Sequence, residues 1–112
     1  MSAYAVANLR SVDLNDELAE YLRRIDATLP PFEGAFLVHG ATPEVMDGSL
    51  PGAIVIVSFP DLEHARAWYR SPQYQAILPL RLRNTTGGAV IVAGVPDGYR
   101  AASLVDGARG PS

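Results

Sequence analysis

Residues Phe59 to Tyr74 read Phe-Pro-Asp-Leu-Glu-His-Ala-Arg-Ala-Trp-Tyr-Arg-Ser-Pro-Gln-Tyr, and they follow the apolar run Ala53 to Val57. This stretch constrains the fold more than any other. An apolar strand reaches Pro60, and Asp61 is placed to cap a helix, because its short side-chain oxygen accepts from the free amides of the first turn. Leu62, Ala65 and Tyr69 then recur at helical spacing and give that helix a buried stripe. Pro72 suits the first turn of a further short helical segment, Gln73 to about Leu80. Trp68, Tyr69 and Tyr74 are concentrated at the end of this strand-to-helix unit.

The first half repeats the pattern. Ala3 to Leu9 reads as a strand, with Tyr4, Val6 and Asn8 on one face and Ala5, Ala7 and Leu9 on the other. Asp13 or Asn15 can cap the helix that follows. Leu14, Leu18, Tyr21, Leu22, Ile25 and Leu29 form a single stripe, so this helix is amphipathic and lies on a sheet. Asp16, Glu17 and Glu20 sit near its positive end, with Arg23 and Arg24 later, as the helix dipole favours. Pro30-Pro31 stops it. Phe32 to His39 reads as a second strand, in which Gly34 marks a bulge or a close backbone approach. Gly40 to Gly52 connects it to the third strand, with a short extended piece expected around Glu44-Val45-Met46. Thr85 to Gly88 is read as a turn, and Ala89 to Val95 as the last strand.

The order is β-α-β-β-α-β, the ferredoxin-like split βαβ arrangement of the α+β class, with a four-stranded antiparallel sheet and both helices on one face. Ala53 to Phe59 and Ala89 to Val95 are apolar on both faces. A strand of that kind is covered on both sides, and the helices of so short a chain cover only one. The other face therefore calls for a second copy, two such sheets pairing as a dimeric α+β barrel. Residues 1–96 form one domain in this reading. Residues 97–112 form a tail in which Leu104-Val105 has a chance to dock and Gly107 to Ser112 is expected to be mobile.

Composition excludes several classes of chemistry. With 112 residues, 48% of them hydrophobic, the chain supports one modest core. A net charge of -3 gives no basic footprint for nucleic acid. All 9 cations are Arg, so a Schiff base through Lys is excluded. Without Cys there is no thiol nucleophile, disulfide or thiolate metal site. The start lacks the pattern of a signal peptide, and no apolar run is long enough to span a bilayer. The expectation is a cytoplasmic protein without membrane, metal or organic cofactor.

The Phe59 to Tyr74 block resembles the signature of the family known as domain of unknown function 1330. Glu20-Tyr21, Gly34 with Leu37-Val38, Glu44-Val45 with Gly48, and Gly87 are further matches, and the resemblance spans about Tyr4 to Gly94. It implies membership of the dimeric α+β barrel superfamily and hence a homodimer, with precedents among cofactor-independent monooxygenases, isomerases and cyclases. It implies no particular reaction. Two customary Arg positions on the second strand are Ala35 and His39 here, so an anion gripped at those positions in relatives would not be gripped in the same way.

His39 is the sharpest candidate for catalysis: a titratable group near the end of an apolar strand, able to serve as general acid or base. The alternative is a strand-end histidine bonded to a turn carbonyl or water. Tyr21, Trp68, Tyr69 and Tyr74 are core aromatics or the lining of a small-molecule pocket. Asn8, polar among apolar neighbours, is a pocket group or a partner of Tyr21. His64 reads as a solvated first-turn side chain, and Arg81 and Arg83 read as a solvated face or an anion site. No spacing supports a metal site. The functional expectation is a small organic ligand bound by Asn8, Tyr21, Trp68, Tyr69 and Tyr74, with His39 as acid or base. The alternative is a non-catalytic ligand-binding or accessory dimer.

Overall fold

The computed structural model describes residues 1–109. Nine elements follow one another: β1 (Ala3–Val12), α1 (Asp16–Thr28), a 3-10 turn (Pro30–Phe32), β2 (Ala35–Ala41), β3 (Ala53–Phe59), α2 (Leu62–Arg70), α3 (Pro72–Leu82), β4 (Thr85–Ala93) and α4 (Ala102–Arg109). The strands form one sheet in the order β2-β3-β1-β4, every pairing antiparallel. This is the ferredoxin-like α+β fold expected from the sequence.

Helices α1, α2 and α3 each start where a side chain caps them. Asn15, rather than Asp13, accepts from the Leu18 amide at 3.0 Å. Asp61 accepts from the His64 amide at 2.8 Å. Ser71 accepts from the Tyr74 amide at 3.2 Å, with Pro72 in the first turn behind it. The Asn15 and Ser71 caps each contribute about 1 kcal/mol. The Ser71-Pro72 step breaks the second helical segment into α2 and α3, since Ser71 is extended and cannot continue α2. At the other end of α3, Arg83 pairs with Glu17 of α1 at 2.6 Å.

Burial follows the alternation of the strands. Ala3, Val57 and Phe59 are buried in one cluster with Leu18, Tyr21 and Ile25 of α1, Ala65 and Trp68 of α2, and Tyr74, Ile77 and Leu78 of α3. Tyr4, Val6, Asn8, Ile54, Ile56 and Val38 occupy the intervening register positions and form the opposite face. Among the described residues no helix packs on that face. Val90 and Val92 of β4 extend it and are 57% and 44% exposed.

Several boundaries differ from the sequence reading. β2 begins at Ala35, because Pro30 to Phe32 coil into a 3-10 turn closed by Glu33 in the left-handed region at φ 56°. Gly34 lies just before the strand. A Cβ there would stand 2.7 Å from the Phe59 ring and 2.9 Å from Leu29, so the close approach is real. β4 begins at Thr85 instead of after a turn. Gly87, at φ 125°, lies opposite Leu9 at a bulge that lets the β1–β4 pairing run on to Val12 and Thr85. The stretch around Glu44-Val45-Met46 has no regular structure. In α2 the buried pair is Ala65 and Trp68, with Leu62 and Tyr69 half-buried.

The described chain is elongated. Its radius of gyration is 16.4 Å, against about 13 Å for a compact chain of this length. Leu104 and Val105 of α4 are 72% and 53% exposed, so they do not dock on the body of the chain. The end expected to be mobile, Gly107 to Ser112, overlaps the last turn of α4 and otherwise lies outside the described residues.

Candidate functional site

The helix-facing side of the sheet is built from small residues along its middle. On that face Ala7 stands opposite Ala89 and Val55, Ala5 opposite Val57 and Ile91, and Ala53 opposite Leu9. Alanines cannot fill the space beneath helices that carry Leu18, Tyr21, Trp68 and Tyr74. The result is a cavity of about 620 Å³ between sheet and helices, within the usual range for small-molecule pockets. Its lining is mostly apolar, with His39, Arg81, Thr85 and the phenols as polar points.

The register also shows where the cavity opens. The end of β1, the end of β2, and the starts of β3 and β4 share one edge of the molecule. Val12, Leu14, His39 and Gly40 line the cavity from there and are exposed. His39 is thus a residue of the mouth. Its ring stacks on Phe36, centroids 4.7 Å apart and tilted by 32°, and it accepts or donates no hydrogen bond among the described residues.

The inner wall is aromatic. Trp68 and Tyr74 stack at 4.1 Å, Tyr69 packs on Tyr74 at 5.5 Å, and Tyr21 meets Tyr74 edge-on at 6.1 Å. The polar tips of three of these rings have partners within the protein. The Trp68 indole N–H donates to Thr28 Oγ1 at 2.9 Å, and that hydroxyl donates to the Ile25 carbonyl at 2.6 Å. The Tyr21 and Tyr74 hydroxyls bond each other at 2.8 Å. Burial, reinforced by Tyr74, pushes the Tyr21 phenol well above the ordinary tyrosine range, so it is neutral at physiological pH.

Five of the six residues singled out in the sequence meet here: His39, Tyr21, Trp68, Tyr69 and Tyr74 all line the cavity. Asn8 does not. It belongs to the opposite face, paired in register with Ile54, and its Nδ2 donates to the Pro51 carbonyl at 3.0 Å. Its partner is the β2–β3 connection, and the partner of Tyr21 is Tyr74. Arg81, read from sequence as a solvated side chain or an anion site, is 9% exposed and lines the cavity. The signal was available: Tyr74, Ile77, Leu78 and Arg81 recur at helical spacing and share the buried face of α3. Arg83, with its Glu17 partner, is the exposed one of the two.

His64 is not a simple solvated side chain. Its Nδ1 bonds Asp61 Oδ1 at 2.7 Å, and its Nε2 lies 3.3 Å from Glu33. The Asp61 carboxylate bonded to the ring holds its pKa above the ordinary imidazole value. This cluster joins α2 to the 3-10 turn, away from the cavity. No three His, Asp or Glu side chains gather in a way that would hold a metal ion among the described residues, and no described helix is long and apolar enough to cross a membrane.

Comparison with known proteins agrees with this architecture. A dimeric ferredoxin-like protein of unknown function from Jannaschia sp. CCS1 superposes with a TM-score of 0.65 at 16% identity, covering 86% of this chain and 100% of that one. A protein of unknown function from Rhodopseudomonas palustris gives 0.62 at 14% identity, covering 85% and 83%. SnoaB, a cofactor-independent oxygenase from Streptomyces nogalater, gives 0.52 at 11% identity, covering 88% and 98%. At such identities the likeness is one of fold. No curated protein matches the chain. The profile of the family described as Domain of unknown function (DUF1330) matches residues 2–95, and the chain belongs to that family.

Proposed function

We propose that this protein is a cytoplasmic homodimer that binds a small, largely apolar organic molecule in the cavity of each subunit. The observation that carries the reading is the alanine floor beneath an aromatic wall, which keeps about 620 Å³ open where a core would otherwise close. The apolar sheet face of Val6, Val38, Ile54, Ile56, Val90 and Val92 supports the dimer, because a contiguous patch of that kind needs cover. The dimeric relative of the same fold points the same way.

The reading is tested with 1-naphthalenemethanol as a neutral probe, by calorimetry on the wild type and on Ala7→Leu. One site per subunit, lost in Ala7→Leu while the melting temperature stays within a few degrees, is the expected result. Binding that Ala7→Leu leaves intact would place the ligand elsewhere and sink the reading.

Catalysis without metal or organic cofactor, of the oxygenase, isomerase or cyclase kind, is the further step in this proposal. His39 at the mouth would serve as acid or base, and Tyr21, Trp68, Tyr69 and Tyr74 would orient the substrate. A turnover screen with His39→Ala as control checks it: turnover that survives the substitution removes His39 from the chemistry. One observation favours the alternative of a non-catalytic binding dimer. Among the described residues no carboxylate or carbonyl orients the His39 ring, whereas acid–base histidines are commonly held by such a partner.

A further inference from the structure

Arg81 is the only charged side chain buried among the described residues. Burying a charge is costly unless an opposite charge answers it, and buried cations are ordinarily paired with carboxylates. No carboxylate among the described residues pairs with Arg81; the ion pairs are Glu20–Arg24, Glu33–His64, Asp61–His64 and Glu17–Arg83. The groups that act on its charge are the phenols of Tyr74, Tyr21 and Tyr69. None of these is a carboxylate, and burial holds the Tyr21 phenol neutral. The described residues supply no counter-charge.

The hydrogen-bonding inventory has the same sense. In the Tyr21–Tyr74 pair one hydroxyl donates to the other, so one O–H is left over. A guanidinium has five N–H donors and no acceptor. The indole N–H of Trp68 is already used on Thr28. This part of the cavity is therefore rich in donors and poor in acceptors, while the rest of the wall is aliphatic and aromatic.

We infer that the cavity recognises a carboxylate carried on a flat apolar body, with the Arg81 guanidinium and the free hydroxyl of the Tyr21–Tyr74 pair gripping the carboxylate, and Trp68, Tyr69 and Tyr74 contacting the body. The planar fork of Arg matches a carboxylate with two parallel hydrogen bonds, and such charge-assisted bonds are about twice as strong as neutral ones. The inference rests on the small-molecule reading of the cavity.

The experiment compares 1-naphthoate with 1-naphthamide, which has nearly the same shape without the charge, by calorimetry on the wild type, Arg81→Gln and Arg81→Lys. The expected result is naphthoate binding at least about tenfold tighter than the amide. That preference disappears in Arg81→Gln and is partly kept in Arg81→Lys, which retains the charge without the fork. Equal affinity of wild type for both probes would overturn the carboxylate inference and leave the small-molecule site standing. Binding of neither probe would overturn both. The wild-type comparison decides the matter even if a substituted chain fails to fold.

Discussion

At the scale of single residues, the glycines and the polar contacts carry definite consequences. Gly34 lies against the Phe59 ring and Leu29, both buried. Gly34→Ala must push one of them aside, and overpacking of this kind costs about 1–3 kcal/mol; chemical denaturation at equilibrium measures it. The Asp61–His64 contact gives a pH signature. His64 is raised above its ordinary 6.5, so its contribution is full below that value and is lost as pH rises through the folded pKa. Asp61 is lowered below its ordinary 3.8, chiefly by the His64 amide and then by the ring, so its contribution is present above 3.8 and is lost as pH falls. The stability difference between wild type and Asp61→Asn is therefore expected to peak near pH 5 and to shrink on both sides. A flat difference across that range would dispose of the contact. Residue chemistry of this kind was only half legible in the sequence. Asp61 announced itself as a cap by its place before Leu62. The bond from its carboxylate to the His64 ring follows from the geometry of the first turn, but Glu33 arrives from a distant turn that no local pattern encodes.

At the scale of elements, α1, α2 and α3 are joined to one another by side chains as well as by packing. Trp68 of α2 reaches Thr28 at the end of α1 through a buried hydrogen bond. Thr28→Val keeps the shape and removes the oxygen, leaving the indole N–H unsatisfied. The expected loss is about 1–3 kcal/mol, read by thermal or chemical unfolding, with the Thr28→Val/Trp68→Phe double variant less than additive. The element order, the α1 stripe and the bounds of β3 were readable because periodicity is a local property. The longer β4 was not, because Gly87-Gly88 looks like a turn until the bulge opposite Leu9 is seen. The burial of Arg81 is not evident from its charge alone; its position three and four residues from Leu78 and Ile77 places it on the buried side of α3. The side of Asn8 is not readable from local pattern, because alternation separates the two faces of β1 without deciding which of them meets the helices; the row Ala3, Ala5, Ala7 decides it once Tyr21 and Trp68 are known to press on that side.

At the scale of the whole molecule, the sheet has one face under helices and one bare apolar face, and the proposed partner covers the second. Ile56→Glu on that face is expected to convert a dimer of about twice the chain mass into a monomer in light scattering at micromolar concentration, since a buried unpaired carboxylate is strongly disfavoured. A wild-type chain that is already monomeric at that concentration would remove the basis for the dimer. The strand register has a consequence for the way the gene can change. Along β1 the odd positions Ala3, Ala5, Ala7 and Leu9 share the face turned to the helices, and the even positions Tyr4, Val6 and Asn8 share the opposite face. Two inherited traits, what is bound and what is paired with, are thus written in alternate letters of one short word. A point substitution alters one trait and spares the other, whereas a one-residue insertion or deletion within β1 exchanges them wholesale.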